Sequence, residues 1–137
     1  MKTSRKFLIV ILLLSANMIH AELSHEPDTL IRIDRDQLGV QLIQLRDSMD
    51  ATLKTIGKNL GKNAQIVNQQ LDKNFKDLKS SRTEVDKAID RVAITDEETW
   101  NVDIQNDMIN ILNDKRNEYR RILENVKQVF VARNFRS

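Results

Sequence analysis

The chain has 137 residues, 40% hydrophobic and 31% charged, with three glycines, one proline and no cysteine. That length suits one ordinary domain, and the missing cysteine excludes a disulfide scaffold and a lipid-modified bacterial export product. The formal charge of +2 overstates the basic character: Lys2, Arg5 and Lys6 belong to an expected leader, and without those three of the 22 bases, 19 face 20 acids, so no global pull toward nucleic acid is expected.

Lys2, Arg5 and Lys6 precede the apolar run Phe7–Leu14 and a softer stretch ending at Ala21. A charged, then apolar, then small-residue order describes a secretory signal peptide over residues 1–21, cleaved after Ala21. The expected destination is secreted or periplasmic. The apolar run is shorter than the ~20 residues that span a bilayer. No Asn-x-Ser/Thr acceptor occurs, which excludes N-glycosylation. Residues 22–33 read as a polar leader in which Pro27 forbids a continuous helix; Leu30, Ile31 and Ile33 are candidates to dock on the helical domain. That single domain spans 34–137.

From Leu42 to Leu78 apolar residues recur at steps of three, four and four: Leu42, Leu45, Met49, Leu53, Ile56, Leu60, Ala64, Val67, Leu71, Phe75, Leu78. Eleven residues over three turns keep such a stripe almost straight on one helix face. The spacing predicts one amphipathic helix over about 34–93, near 90 Å long at ~1.5 Å per residue. Gly57 and Gly61 are its weak point, each costing about 1 kcal/mol in a helix interior. They mark either a kink or, being four apart on one face, a place where another backbone approaches closely. Ser81 with Glu84 offers a capping box, but Arg82 and Lys87 keep helical composition, and continuity is expected through Ser80 and Ser81.

Thr95-Asp96-Glu97-Glu98 sets a capping hydroxyl three residues before a glutamate. A second helix is expected over about 96–132, with Trp100, Ile104, Met108, Ile109, Leu112, Tyr119, Leu123, Val126 and Phe130 on its stripe and Arg116 in the one polar slot. Folded back through a short turn, it covers only part of the first helix. Two all-α architectures satisfy the pattern: a helical hairpin built on one long helix, or a three-helix bundle if the chain bends near Gly57–Gly61. Asp96–Asp114 holds six acids and no base, and Lys115–Arg136 seven bases and two acids, matching the helix macrodipole. In a hairpin the acidic half is expected beside Lys73, Lys76, Lys79 and Arg82.

Catalytic chemistry finds no foothold in the pattern. His25 is the single histidine after the signal, and neither a metal site nor a Ser/His/Asp arrangement can be assembled around it. Glu97 and Glu98 serve a helix start, and Gly57 and Gly61 form no phosphate loop. No enzyme activity, cofactor or metal is expected. Lys54, Lys58 and Lys62 form a ridge beside the apolar stripe, either a solvated flank or a contact for an anionic surface.

The eleven-residue spacing resembles the repeat of exchangeable apolipoproteins and other reversible lipid-surface helices. The likeness lies in spacing over Leu42–Leu78, and glycines and asparagines interrupt it. It implies reversible lipid binding through the stripe with Lys54, Lys58 and Lys62 at the headgroups. The residues themselves point first to a non-enzymatic exported interaction protein, engaging a protein partner or a second copy through Leu42, Leu45, Met49, Leu53, Ile56, Leu60, Val67 and Leu71. A membrane surface is the alternative partner, and nucleic acid is not expected.

Overall fold

A computed structural model describes residues 35–136, with side chains through Ala132. The expected signal peptide, the expected polar leader with His25, and Leu30, Ile31 and Ile33 lie outside the described residues. Three helices succeed one another: α1 (Arg35–Asn59), α2 (Gln65–Ile94) and α3 (Val102–Arg136). They pack together as a three-helix arrangement with α2 the most extensively contacted. No helix among them is long and apolar enough to cross a membrane.

The expected helix over 34–93 is therefore two helices, and the three-helix alternative is the one adopted. Gly61 makes the break. Its φ of 77° lies in the left-handed region, where a side chain costs about 1–2 kcal/mol and glycine costs almost nothing. A left-handed glycine just past the last helical turn is a common way to stop a helix. Asparagine side chains then bond to backbone carbonyls along the turn, among them that of Asn59, which the helix ending leaves open. Asn59 Nδ2 donates to Thr55 O at 2.9 Å, Asn63 Nδ2 to Asn59 O at 2.7 Å, and Asn68 Nδ2 to Asn63 O at 2.7 Å. Gly57 plays no part in a close backbone approach: a Cβ there meets only Phe75 Cε2, at 3.7 Å. α2 runs unbroken through Ser80 and Ser81.

The second connection also differs from expectation. Thr95 ends α2 instead of starting α3, its hydroxyl donating back to Arg91 O at 2.6 Å. Asp96 gathers the N–H and the hydroxyl of Thr99 into one turn, which holds the Asp96 carboxyl below its usual pKa. The cap of α3 is Asn101, whose Oδ1 accepts the N–H of Ile104 at 2.9 Å. The turn lays Trp100 against the core, and Arg35 ties the start of α1 to this connection by donating to Thr95 O.

The burial repeat is seven, not eleven. α1 buries Leu38, Leu42, Leu45, Met49, Thr52 and Ile56; α2 buries Val67, Leu71, Asn74, Leu78, Ser81, Val85, Ala88 and Val92. Steps of four and three alternate throughout, which is the heptad of left-handed helix packing. An eleven-residue step arises in the apolar residues because Thr52 and Asn74 occupy the slots after Met49 and Leu71, so the adjoining half-buried hydrophobes Leu53 and Phe75 look like the seam. α3 supplies the third seam through Met108, Leu112, Arg116, Tyr119, Leu123, Val126 and Phe130, widened by Ile122 and Val129.

Interhelical contacts fix the register. Arg46 meets Asp86 and Arg82 meets Asp50 between α1 and α2; Arg91 meets Asp107 and Lys115 meets Glu84 between α2 and α3. Both sequential pairs are thus antiparallel, and α1 runs parallel to α3. The acidic start of α3 consequently lies beside the last turns of α2, not beside Lys73, Lys76, Lys79 and Arg82 as expected. Those four residues sit opposite the basic half of α3. A short antiparallel connection allows nothing else, because residues equidistant from it must face each other.

The two glycines separate the roles. Gly61→Ala is expected to lower stability by about 1–2 kcal/mol through left-handed strain, whereas Gly57→Ala is expected to raise it by about 1 kcal/mol. Urea unfolding followed by circular dichroism checks both, and equal effects at the two positions would refute the assigned break.

Candidate interaction surface

Six of the eight residues expected to form an interaction face are core residues of the chain itself: Leu42, Leu45, Met49, Ile56, Val67 and Leu71. Leu53 and Leu60 are partly buried and pack against that core. The structure brings all eight together, but against this chain's other helices. A fully buried leucine contributes about 1.5–3 kcal/mol, and here that energy closes the bundle. Tyr119, expected in the core, is fully buried, and Trp100 packs on the core half-buried.

Polar groups inside the seam are invisible to apolar periodicity, and they define how α3 sits on α1. Tyr119 OH donates to Ser48 O at 2.9 Å, so its single proton is committed there. Thr52 Oγ1, 2.6 Å from the phenol oxygen, is therefore the donor in their shared bond. Arg116, only 7% exposed, donates to Gln41 Oε1 at 2.9 Å. No carboxylate among the described residues pairs with it, and burial lowers its pKa. Between α2 and α3, Ser81 Oγ donates to Glu118 at 3.3 Å, and Glu118 also receives Lys115. Burial opposes charge on Lys115, yet Glu84 and Glu118 together raise its pKa.

Two open grooves run along the α2–α3 seam, where the heptad positions Asn74 and Ala88 are small. The first, about 370 Å³, is lined by Gln70, Lys73, Asn74, Asn125 and Gln128 over Val129 and Ala132. The second, about 420 Å³, has Ala88, Met108 and Ile111 as its apolar floor. The ion pairs Lys115–Glu84 and Arg91–Asp107 beside it join the two helices.

Lys54, Lys58 and Lys62 are all solvent-accessible along one side, and none has an ion-pair partner among the described residues. They stand at the end of the bundle formed by the α1–α2 turn. Ile66, 52% exposed, lies just beyond that turn. At the opposite end Ile94 is 83% and Val102 64% exposed, amid Glu97, Glu98 and Asp103. The apolar residues left on the surface thus include members at both tips.

The buried phenol and guanidinium make stability depend on pH and on one polar slot. Burial raises the Tyr119 pKa from 10 to about 12, with the Thr52 bond opposing. A raised folded-state value means that the neutral phenol favours the fold, so this contribution is complete below pH 10 and is lost as pH rises toward 12. Alkaline titration is expected to remove on the order of 2–3 kcal/mol in that window. Tyr119→Phe should abolish the slope while costing about 1 kcal/mol at neutral pH. Arg116→Met should raise the melting temperature, because it fills the same slot without burying a guanidinium that lacks a carboxylate; a fall of several degrees by calorimetry would show that the Gln41 bond outweighs desolvation. Comparison with known proteins finds no matching family model, curated protein or solved structure.

Proposed function

We propose that this chain is an exported, non-enzymatic helical interaction protein, which binds a protein partner or a second copy of itself while its bundle stays closed. The observation that carries this reading is the division of labour between its surfaces. The heptad seams are consumed internally, so recognition falls to what they leave outside. That exterior carries charges sorted by end and exposed apolar residues at both tips, the two kinds of surface that protein–protein interfaces combine. The original stripe from Leu42 to Leu71 then supports function indirectly, by holding the rigid frame on which the tips are displayed.

A second reading is supported by Lys54, Lys58 and Lys62, solvent-accessible and without ion-pair partners among the described residues, with Ile66 nearby. A basic patch bordered by an apolar side chain suits an anionic lipid surface. Binding there would need only the tip of the bundle, not an opened stripe.

Photoreactive residues placed singly at Val40, Ile66, Ile94 and Val102 test the proposal in the exporting cell. Protein adducts, to this chain or another, confined to particular sites are the expected result. Membrane co-fractionation without protein adducts transfers the assignment to lipid. No adduct at any site and no membrane association overturns both readings.

A further inference from the structure

We infer that the partner at the two tips is a second copy of this chain, docked head to tail with the basic end of one protomer on the acidic end of the next. This rests on the interaction reading and names its occupant. Between Ala51 and Lys76 the chain carries five lysines and one acid, Asp72. The fold gathers this stretch at one end, as the close of α1, the turn and the start of α2. The basic half of α3 ends there too. The other end holds the start of α1, the close of α2 and the first part of α3. Asp96–Asp114, with six acids and no base, belongs to it.

Each tip carries exposed apolar residues as well as its charge. Ile66 and Val131 (42% exposed) mark the basic end, and Ile94 and Val102 mark the acidic end. Lys58 and Lys62 at one tip, and Glu97 and Glu98 at the other, are exposed, and none of these side chains is engaged in an ion pair among the described residues. The two faces therefore complement each other in sign and match in kind, whereas either face opposed to its own copy sets like charges together. The contact is heterologous, so it propagates into chains or closes into rings instead of stopping at a symmetric dimer. The end of a three-helix bundle is small beside the ~1,600 Å² of a standard interface. Association is accordingly weak and governed by charge, and salt weakens it as the Debye length falls from about 20 Å at low ionic strength to a few Å.

Sedimentation and light scattering of the mature chain test the inference at about 0.02 M and about 0.5 M salt. At low salt the average mass should rise continuously with concentration, past a dimer; at high salt it should fall to one protomer. Lys58→Glu/Lys62→Glu cancels the excess of the basic stretch, leaving three bases against three acids, and Glu97→Lys/Glu98→Lys cuts that of the acidic stretch to four acids against two bases. Each variant alone should associate at least several-fold more weakly than the parent, and an equimolar mixture, which brings an unaltered basic end to an unaltered acidic end, should associate more strongly than either variant. Circular dichroism verifies the fold, and the neutral pair Lys58→Gln/Lys62→Gln serves if the reversed one loses helicity; it should weaken association at least several-fold. A monomeric parent at low salt, a mass that stops at two protomers, or a mixture that stays monomeric overturns the inference. Anionic vesicles that bind the parent but not the Lys58/Lys62 variant, with the mixture monomeric, would assign the basic tip to lipid instead. In-cell adducts to a different protein alongside a monomeric mixture would sink the self-docking alone and leave the interaction reading standing.

Discussion

A helix that buries a residue every three and then four positions keeps its seam covered only where its neighbours present the same repeat. All three helices here do so, and that shared spacing is the constraint on which the molecule depends. The left-handed turn at Gly61 is what makes the sharing possible within one chain. Without it α1 would extend away from α2, and the face from Leu38 to Ile56 would lie bare. The energy at stake is large compared with the ~5–15 kcal/mol stability of ordinary domains, since each buried aliphatic side chain is worth about 1.5–3 kcal/mol. A single glycine conformation thus decides whether that energy stays inside one protomer or seeks another.

Four seam positions are polar: Thr52, Asn74, Ser81 and Arg116. None adds much hydrophobic energy, yet most engage a named atom on another helix. Thr52 and the Ser48 carbonyl meet one phenol, which ties a defined turn of α1 to a defined turn of α3. An apolar slot could slip by a heptad at modest cost; a phenol that has lost both partners leaves a buried hydroxyl unpaired, at about 1–3 kcal/mol. Arg116 bonded to Gln41 repeats the device farther along the same pair of helices. Register is thereby specified by groups that hydrophobicity overlooks.

The same residues explain what could and could not be read from sequence. Helical class, the bend near Gly57–Gly61 as one of two alternatives, continuity through Ser81, and Tyr119 in the core were legible, because they rest on composition, glycine chemistry and apolar spacing. The repeat length was not, because counting only hydrophobes steps over Thr52 onto Leu53. Allowing Thr52 into the slot between Met49 and Ile56, and Asn74 into the slot between Leu71 and Leu78, restores alternation of three and four within each helix. The cap at Thr95 failed for a different reason: Thr95, Asp96, Thr99 and Asn101 are all competent caps, and only the packing of Trp100 and the Arg35 contact select Asn101. The interaction face was legible as a buried surface, but periodicity carries no information on whether the cover comes from the same chain.

Charge sorting along the bundle has an internal explanation that accounts for only part of it. With three helices among the described residues the macrodipoles do not cancel: α1 and α3 both begin at the acidic end, and α2 begins at the other. Acids near two helix starts and bases near two helix ends are favourable, by about 0.3–1 kcal/mol each at exposed sites. That effect fades within a single turn. It covers Asp36, Asp103 and Lys58, which lie in terminal turns. It does not reach Asp114 on α3, Lys54 on α1 or Lys76 on α2, each lying beyond the terminal turns. Nor does it explain Glu97 and Glu98, which sit in the connection before α3 has begun. Internal pairing accounts for some of the remainder, as in Lys76 with Asp72 and Arg91 with Asp107. Neither cause absorbs the charges concentrated at the two tips, opposite in sign, with exposed apolar side chains among them and no ion-pair partner among the described residues. Such charges repel within their own tip and so work slightly against the fold, and an oppositely charged surface outside the protomer is the arrangement that relieves them.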